Sequence, residues 1–190
     1  AKHSNKSTLE TTEISQSDET QLNHSYKHGG YKADAYAKSL DFSGETLSLF
    51  DSDIESLLYM IEEEKMAKEI YTELYEQTGL SEFEKVASSE GNHYDKLLSV
   101  ADKFGVDTSS LSVEEGVFIS SEIQTLYDTL LQEALLSTES AVSVAIAIEE
   151  ADIADLEATV DITESVLLGQ VYTNLADASL NHLNVFEGIA

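Results

Sequence analysis

Glu90 and His93 stand three residues apart in SSEGNHYDKL, residues 88–97. That spacing projects a carboxylate and an imidazole from one face of a helix, and the pair is half of a site for a divalent metal ion. Three further residues of the same chemistry fall on apolar helical stripes. Glu64 is in line with Leu57, Ile61, Ala67 and Tyr71; Glu149 with Val142, Ala145, Ile146, Ile153 and Leu156; His182 with Leu175, Ala178 and Phe186. A polar group on such a stripe is costly unless it finds a partner. Phase separates Glu63 from Glu64 poorly, but the E-x-x-A-x-x-x-Y run from Glu64 to Tyr71 favours Glu64, with Glu62 and Glu63 expected to be more exposed.

These residues form two half-sites, Glu64 with Glu90-x-x-His93 and Glu149 with Ser179-x-x-His182. A Glu from each of two helices with Glu-x-x-His from the other two is the ligand set of di-metal carboxylate bundles. One position departs from it: Ser179 stands where the fourth carboxylate would be, and a neutral hydroxyl is a weaker ligand. Asp152, three residues after Glu149, is spaced to turn towards the same centre and compensate. The expected metal residues are therefore Glu64, Glu90, His93, Glu149, Asp152 and His182. Glu64, Glu90 and His93 would hold one ion and Glu149 and His182 a second, with Glu90 and Glu149 able to bridge. Cysteine is absent, so only oxygen and imidazole ligands remain. They suit iron or manganese first, zinc also, and calcium in an all-oxygen subset. The competing reading keeps the same groups as a hydrogen-bonded polar core. Tyr71, Tyr94 and Tyr172 are expected as core residues or partners of the ligands rather than radical sites.

Four long helices are needed to bring these positions together. Proline is absent throughout, which leaves long helices uninterrupted. The first opens at a cap formed by Asp53 and stops at Gly79; the second opens at a Ser81–Glu84 capping box and stops at Gly105. The spacing of Ile123, Leu126, Tyr127, Leu130 and Leu131 predicts a shorter helix over about 120–135. A third long helix starts near Ser137, apolar on every face from Ala141 to Ile148, and the last runs from about Glu164 towards Phe186. No segment alternates convincingly as a strand. The fold class expected is all-α, a four-helix bundle whose long crossover, residues 105–137, contains the extra short helix. Residues 1–45, rich in Ser, Thr and Glu and without apolar period, are expected as a flexible tail, and 46–190 as the bundle domain.

Ten lysines and no arginine face 37 acidic residues, a formal charge of −27. Such a field concentrates cations and repels nucleic acid and anionic membranes. No apolar run approaches the roughly 20 residues of a membrane span. The chain begins at Ala1 without an apolar leader, which gives the expectation of an exported protein, periplasmic or extracellular. Metal ions are the expected partners, with O₂ or peroxide as reactants and a homodimer as the assembly considered. The alternative function is a non-redox acidic binding module. Asp152, Asp155 and Glu157 as one cluster and Glu114–Glu115 as another would hold Ca²⁺, a basic partner or a mineral surface.

YMIEEEKMAKEIY (59–71), SSEGNHYDKL (88–97), IEEADIADLE (148–157) and SLNHLNVF (179–186) together resemble the ferritin-like proteins of the uncharacterised DUF2202 family. The resemblance spans most of residues 51–187 and implies a ferritin-like fold, with Ser at the place of Ser179 part of the family pattern. More remotely, the chain is similar to rubrerythrin and ferritin. That similarity implies iron, peroxide or oxygen chemistry, in a ferroxidase- or peroxidase-like oxidoreductase.

Overall fold

The computed structural model describes residues 48–190; the tail expected over residues 1–45 lies outside the described residues. Among the described residues five helices follow one another: α1 (Asp51–Thr78), α2 (Ser81–Phe104), α3 (Ser121–Ala134), α4 (Thr138–Ile162) and α5 (Val166–Glu187). Among the described residues there is no strand; the VFIS segment at 117–120 is irregular, with Phe118 buried. The fold is an all-α bundle in which four long helices carry the core and a short one lies in the crossover.

Two helix starts differ from the sequence expectation. Asp53 is inside α1 instead of capping it: Phe50 is the N-cap, and the Asp53 carboxylate accepts from the Phe50 N–H at 3.3 Å. Ser81 is already the first residue of α2, so no capping box forms there; Leu80 is the N-cap and makes no side-chain cap bond. Its N–H is taken by the Thr78 hydroxyl at 3.2 Å. Ser120, Ser137 and Ser165 do cap α3, α4 and α5, each accepting from a backbone N–H three residues on. Gly79 ends α1 with φ of 70°, a left-handed conformation that glycine adopts without a Cβ penalty.

The two helical hairpins α1–α2 and α4–α5 pack lengthwise, and α3 lies across α1 and α4. Two apolar clusters fill the interior. One is built around the mutually packed rings of Tyr71, Phe83 and Phe186, with Ile70, Leu74, Val144 and Ile148. The other holds Leu57, Ile61, Leu97, Leu156, Leu168 and Tyr172. Each long helix contributes to both clusters, and between its two contributions comes a short polar interval: 62–65 in α1, 90–93 in α2, 149–152 in α4 and 179–182 in α5. Stacking apolar layers above and below therefore brings those four intervals to one level of the bundle.

All four residues of the interval Glu62–Lys65 are buried, contrary to the expectation that Glu62 and Glu63 are exposed. The crossover is the reason. Glu62 accepts from the Ile119 and Ser120 N–H groups at 2.5 and 2.8 Å, placing a carboxylate at the N-terminus of α3, where the helix dipole favours it. The Lys65 ammonium donates to the Glu114 and Val117 carbonyls at 2.8 and 3.2 Å and lies 4.2 Å over the Phe118 ring. Glu69 accepts from the Gly116 N–H at 2.9 Å. Charged side chains of α1 thus satisfy the backbone of a segment that has no ladder of its own.

Candidate metal centre

Glu64, Glu90, His93, Glu149 and His182 are all buried in that polar layer. They form two triads, Glu64–Glu90–His93 and Glu90–Glu149–His182, in each of which one ligand atom per residue lies within 4.8 Å of the others. Glu90 belongs to both. Its Oε2 is 2.7 Å from His93 Nδ1, and its Oε1 is 2.8 Å from His182 Nδ1. His93 Nδ1 also lies 3.3 Å from Glu64 Oε2, and His182 Nδ1 lies 3.5 Å from Glu149 Oε2. The two imidazoles stack, with centroids 5.5 Å apart and planes 24° from parallel.

These short separations leave hydrogen bonding incomplete. Glu64 Oε1, Glu90 Oε2, His93 Nδ1, Glu149 Oε2 and His182 Nδ1 are buried without a hydrogen-bond partner. One atom from each of the five residues is therefore orphaned, in a protein interior where buried polar atoms are nearly always paired. Carboxylate oxygens and imidazole nitrogens that approach one another without aligning on each other suit a common external point, as ligand atoms do about an ion some 2.0–2.2 Å from each. The donor set, carboxylate oxygens and imidazole nitrogen, fits a divalent cation.

Neighbouring groups fix the ligands in place. His182 Nε2 is 2.9 Å from the Ser89 hydroxyl, which leaves Nδ1 to face Glu90. The Tyr71 hydroxyl donates to Glu149 Oε1 at 2.7 Å, so that carboxylate has only Oε2 free for the triad. The sequence reading had Glu90 and Glu149 both able to bridge; only Glu90 presents its two oxygens to two different imidazoles.

Burial and crowding of charge set the protonation of the cluster. Burial pushes Glu64 up to about 8, with the Glu90 charge adding to it and the His93 imidazole opposing. Burial and then the Glu90 charge push Glu149 up to about 7. Burial would raise Glu90 as well, but His182 and His93 outweigh it and hold Glu90 well below the usual carboxylate range. Burial opposes charging of His182, yet Glu90 and Glu149 carry it up to about 10; Glu64 and Glu90 raise His93 in the same way. Protons here supply the positive charge that a cation would otherwise bring.

Residues 53–189 match the family model described as an uncharacterized protein domain, DUF2202. The chain belongs to the DUF2202 family. It is 33% identical over 136 residues to the uncharacterized protein MJ0754 of Methanocaldococcus jannaschii, an alignment covering 72% of this chain and 74% of the relative. The fold is similar to the crystal structure of the hypothetical protein MJ0754 from Methanococcus jannaschii. That match has a TM-score of 0.71 and 32% identity, and covers 78% of this chain and 82% of the other.

Asp152 is placed differently from the other expected ligands of this DUF2202 chain. It is buried beside the triads but belongs to neither, because Ser179 holds it: the hydroxyl donates to Asp152 Oδ2 at 2.5 Å. Burial, and then the charges of Glu64, Glu90 and Glu149, raise Asp152 well above the usual range. Of the acidic cluster considered for cation binding, Asp152 is buried, Asp155 half-buried and Glu157 exposed. Ser89 carries no pattern that marks it as a neighbour of the centre. Small side chains flank Glu90, among them Ala87, Ser88 and Gly91, and Ser89 is the one that reaches His182.

Proposed function

We propose that the protein is a ferritin-like metal protein that holds two divalent ions, iron or manganese, in the bundle and works in iron or peroxide and oxygen chemistry. The observation that carries this reading is Glu90: one carboxylate shared between two imidazoles whose Nδ1 atoms, like its own Oε2, lack hydrogen-bond partners. A shared carboxylate between two oxygen-and-nitrogen ligand sets is the arrangement expected of a bridged pair of ions. Bound iron would supply the electron-transfer step of Fe(II) oxidation or of peroxide or O₂ reduction.

The chain's own residues divide the remaining work. Glu64 and His93 complete one half, and Glu149 and His182 the other. The Ser89 hydroxyl at His182 Nε2 keeps the ring turned with Nδ1 inward, and Tyr71 holds Glu149 to one free oxygen. The apolar clusters on either side, with Tyr71, Leu57 and Leu97 fully buried, exclude bulk water and strengthen the interactions between charges.

Elemental analysis of protein produced with iron or manganese in the medium tests the reading, followed by optical spectra on exposure to O₂ and peroxide. About two ions per chain are expected, with loss of at least one in Glu90→Ala and in His93→Ala. Metal content unaltered by both substitutions would show the ligand set to be wrong.

A further inference from the structure

A cleft of about 490 Å³ opens between α1, α3 and α4, with Glu55, Tyr59, Met60, Glu122, Asp155 and Thr159 in its walls. Each of the three helices supplies one carboxylate, Glu55, Glu122 and Asp155, and the lining contains no basic side chain. An acidic cleft on so acidic a protein is by itself only a solvated surface. What distinguishes this one is beneath it.

Glu63 is 3% exposed, its carboxyl meets that of Asp155, and its Oε2 has no hydrogen-bond partner. One step further in, Asp152 is 5% exposed; Ser179 takes its Oδ2, and its Oδ1 has no partner. Glu63 lies one helical turn along α1 from Tyr59 of the cleft wall, and Asp152 lies one turn along α4 from Asp155 of the cleft on one side and from Glu149 of the triads on the other. Carboxylates therefore succeed one another from solvent to the centre, and the two interior ones each keep an oxygen free. Burying two such groups side by side without a cation is costly, and an apolar pair at 63 and 152 would seal the bundle at lower cost.

We propose that Glu122, Asp155, Glu63 and Asp152 form the path by which a divalent cation passes from the cleft to the buried centre. The cleft residues capture the hydrated ion; Glu63 and Asp152 replace its waters one or two at a time, so no step strips the whole hydration shell at once. The acidic cleft walls raise the local cation concentration and hence the capture rate. The path rests on the reading of the triads as a metal centre, and its signature is kinetic: the path residues set how fast the centre fills, and the triads set how full it becomes.

The test is stopped-flow uptake of Co(II) by the metal-free full chain, followed through the visible absorption of the bound ion, with end-point content by elemental analysis. Asp155→Asn and Glu122→Gln are the variants. Glu76→Gln is the control, since it removes the same charge from an exposed position of α1 about 25 Å along the helix from Tyr59. Uptake about tenfold slower in Asp155→Asn, slowed less in exposed Glu122→Gln and unchanged in the control, with the same final content in all, is the expected result. Filling at the unaltered speed in both variants overturns the path and leaves the centre standing; lower final content at unaltered speed also overturns it. Failure of the unaltered protein to take up Co(II) at all overturns the centre, and the path with it.

Discussion

The Ser89 hydroxyl on α2 lies 2.9 Å from His182 Nε2 on α5, and this contact across the bundle decides which imidazole nitrogen faces Glu90. A histidine that presents Nδ1 as a neutral ligand carries its proton on Nε2, and Ser89 accepts that proton's hydrogen bond. Ser89→Ala removes the acceptor without adding bulk. Metal affinity of the Glu90–Glu149–His182 position should fall about 10- to 100-fold, with the Glu64–Glu90–His93 position much less affected. Titration against a chelating dye resolves the two steps; equal weakening of both, or of neither, would remove Ser89 from this role.

Protonation gives the metal-free protein an unusual pH profile. Glu64 and Glu149, raised to about 8 and about 7 by burial and neighbouring charge, keep protons that the unfolded chain releases near about pH 4.3. The folded state binds more protons over that window, so their contribution is full at lower pH and is lost as pH rises through 7 to 8. His182, raised to about 10, extends the loss: its contribution is full below about pH 6.5 and disappears as pH rises through 10. Glu90, held low by the two imidazoles, acts oppositely, contributing above about pH 4.3 and losing that contribution on acidification. Metal binding needs the same groups deprotonated and so strengthens as pH rises. Thermal midpoints of the metal-free and manganese-loaded protein should separate progressively from about pH 6 to about pH 9; parallel curves would contradict the linkage.

The Tyr71 hydroxyl is fully buried and serves Glu149 Oε1 at 2.7 Å, with the Ala145 carbonyl at 3.3 Å. Phenylalanine fills nearly the same volume but leaves the carboxylate oxygen without its donor. Tyr71→Phe should destabilise the metal-free protein by about 1–3 kcal/mol. The loss should be larger at about pH 8, where Glu149 is ionised, than at about pH 6. Urea unfolding at the two pH values measures it. A midpoint that does not move at either would mean that the bond contributes nothing net.

Helical phase made Glu64, Glu90, His93, Glu149 and His182 legible in the sequence, because each is a polar residue on a stripe that the bundle must bury. The same logic gave the four long helices and the long crossover. Periodicity could not show what covers the other side of α1. Glu62 was expected to be exposed by phase, yet the crossover folds over it and over Lys65 and draws its backbone hydrogen bonds from their charges. Ser179 was read as standing where a fourth carboxylate would be, but its engagement of Asp152 depends on the rotation of α5 against α4. Spacing within one helix contains no such information. The two misplaced helix starts have a common cause: Asp53 and Ser81 have good capping chemistry, but the chain becomes helical two residues earlier at one and at the residue itself in the other.

Lys65 is the residue on which the crossover depends most. Its ammonium, 2.9 Å from Glu69, donates to two carbonyls 49 and 52 residues away and faces the Phe118 ring. Lys65→Met keeps most of the apolar stem and removes every one of those contacts, leaving two backbone acceptors and one carboxylate with fewer donors. The expected cost is about 2–3 kcal/mol, and it should be local. Hydrogen exchange should accelerate over residues 114–117, whose carbonyls at either end Lys65 holds, while α2 and α5 exchange as before. Because Glu62 still holds the start of α3 through Ile119 and Ser120, that helix should remain folded. Uniform loss of protection across the bundle would mean instead that Lys65 supports the global fold.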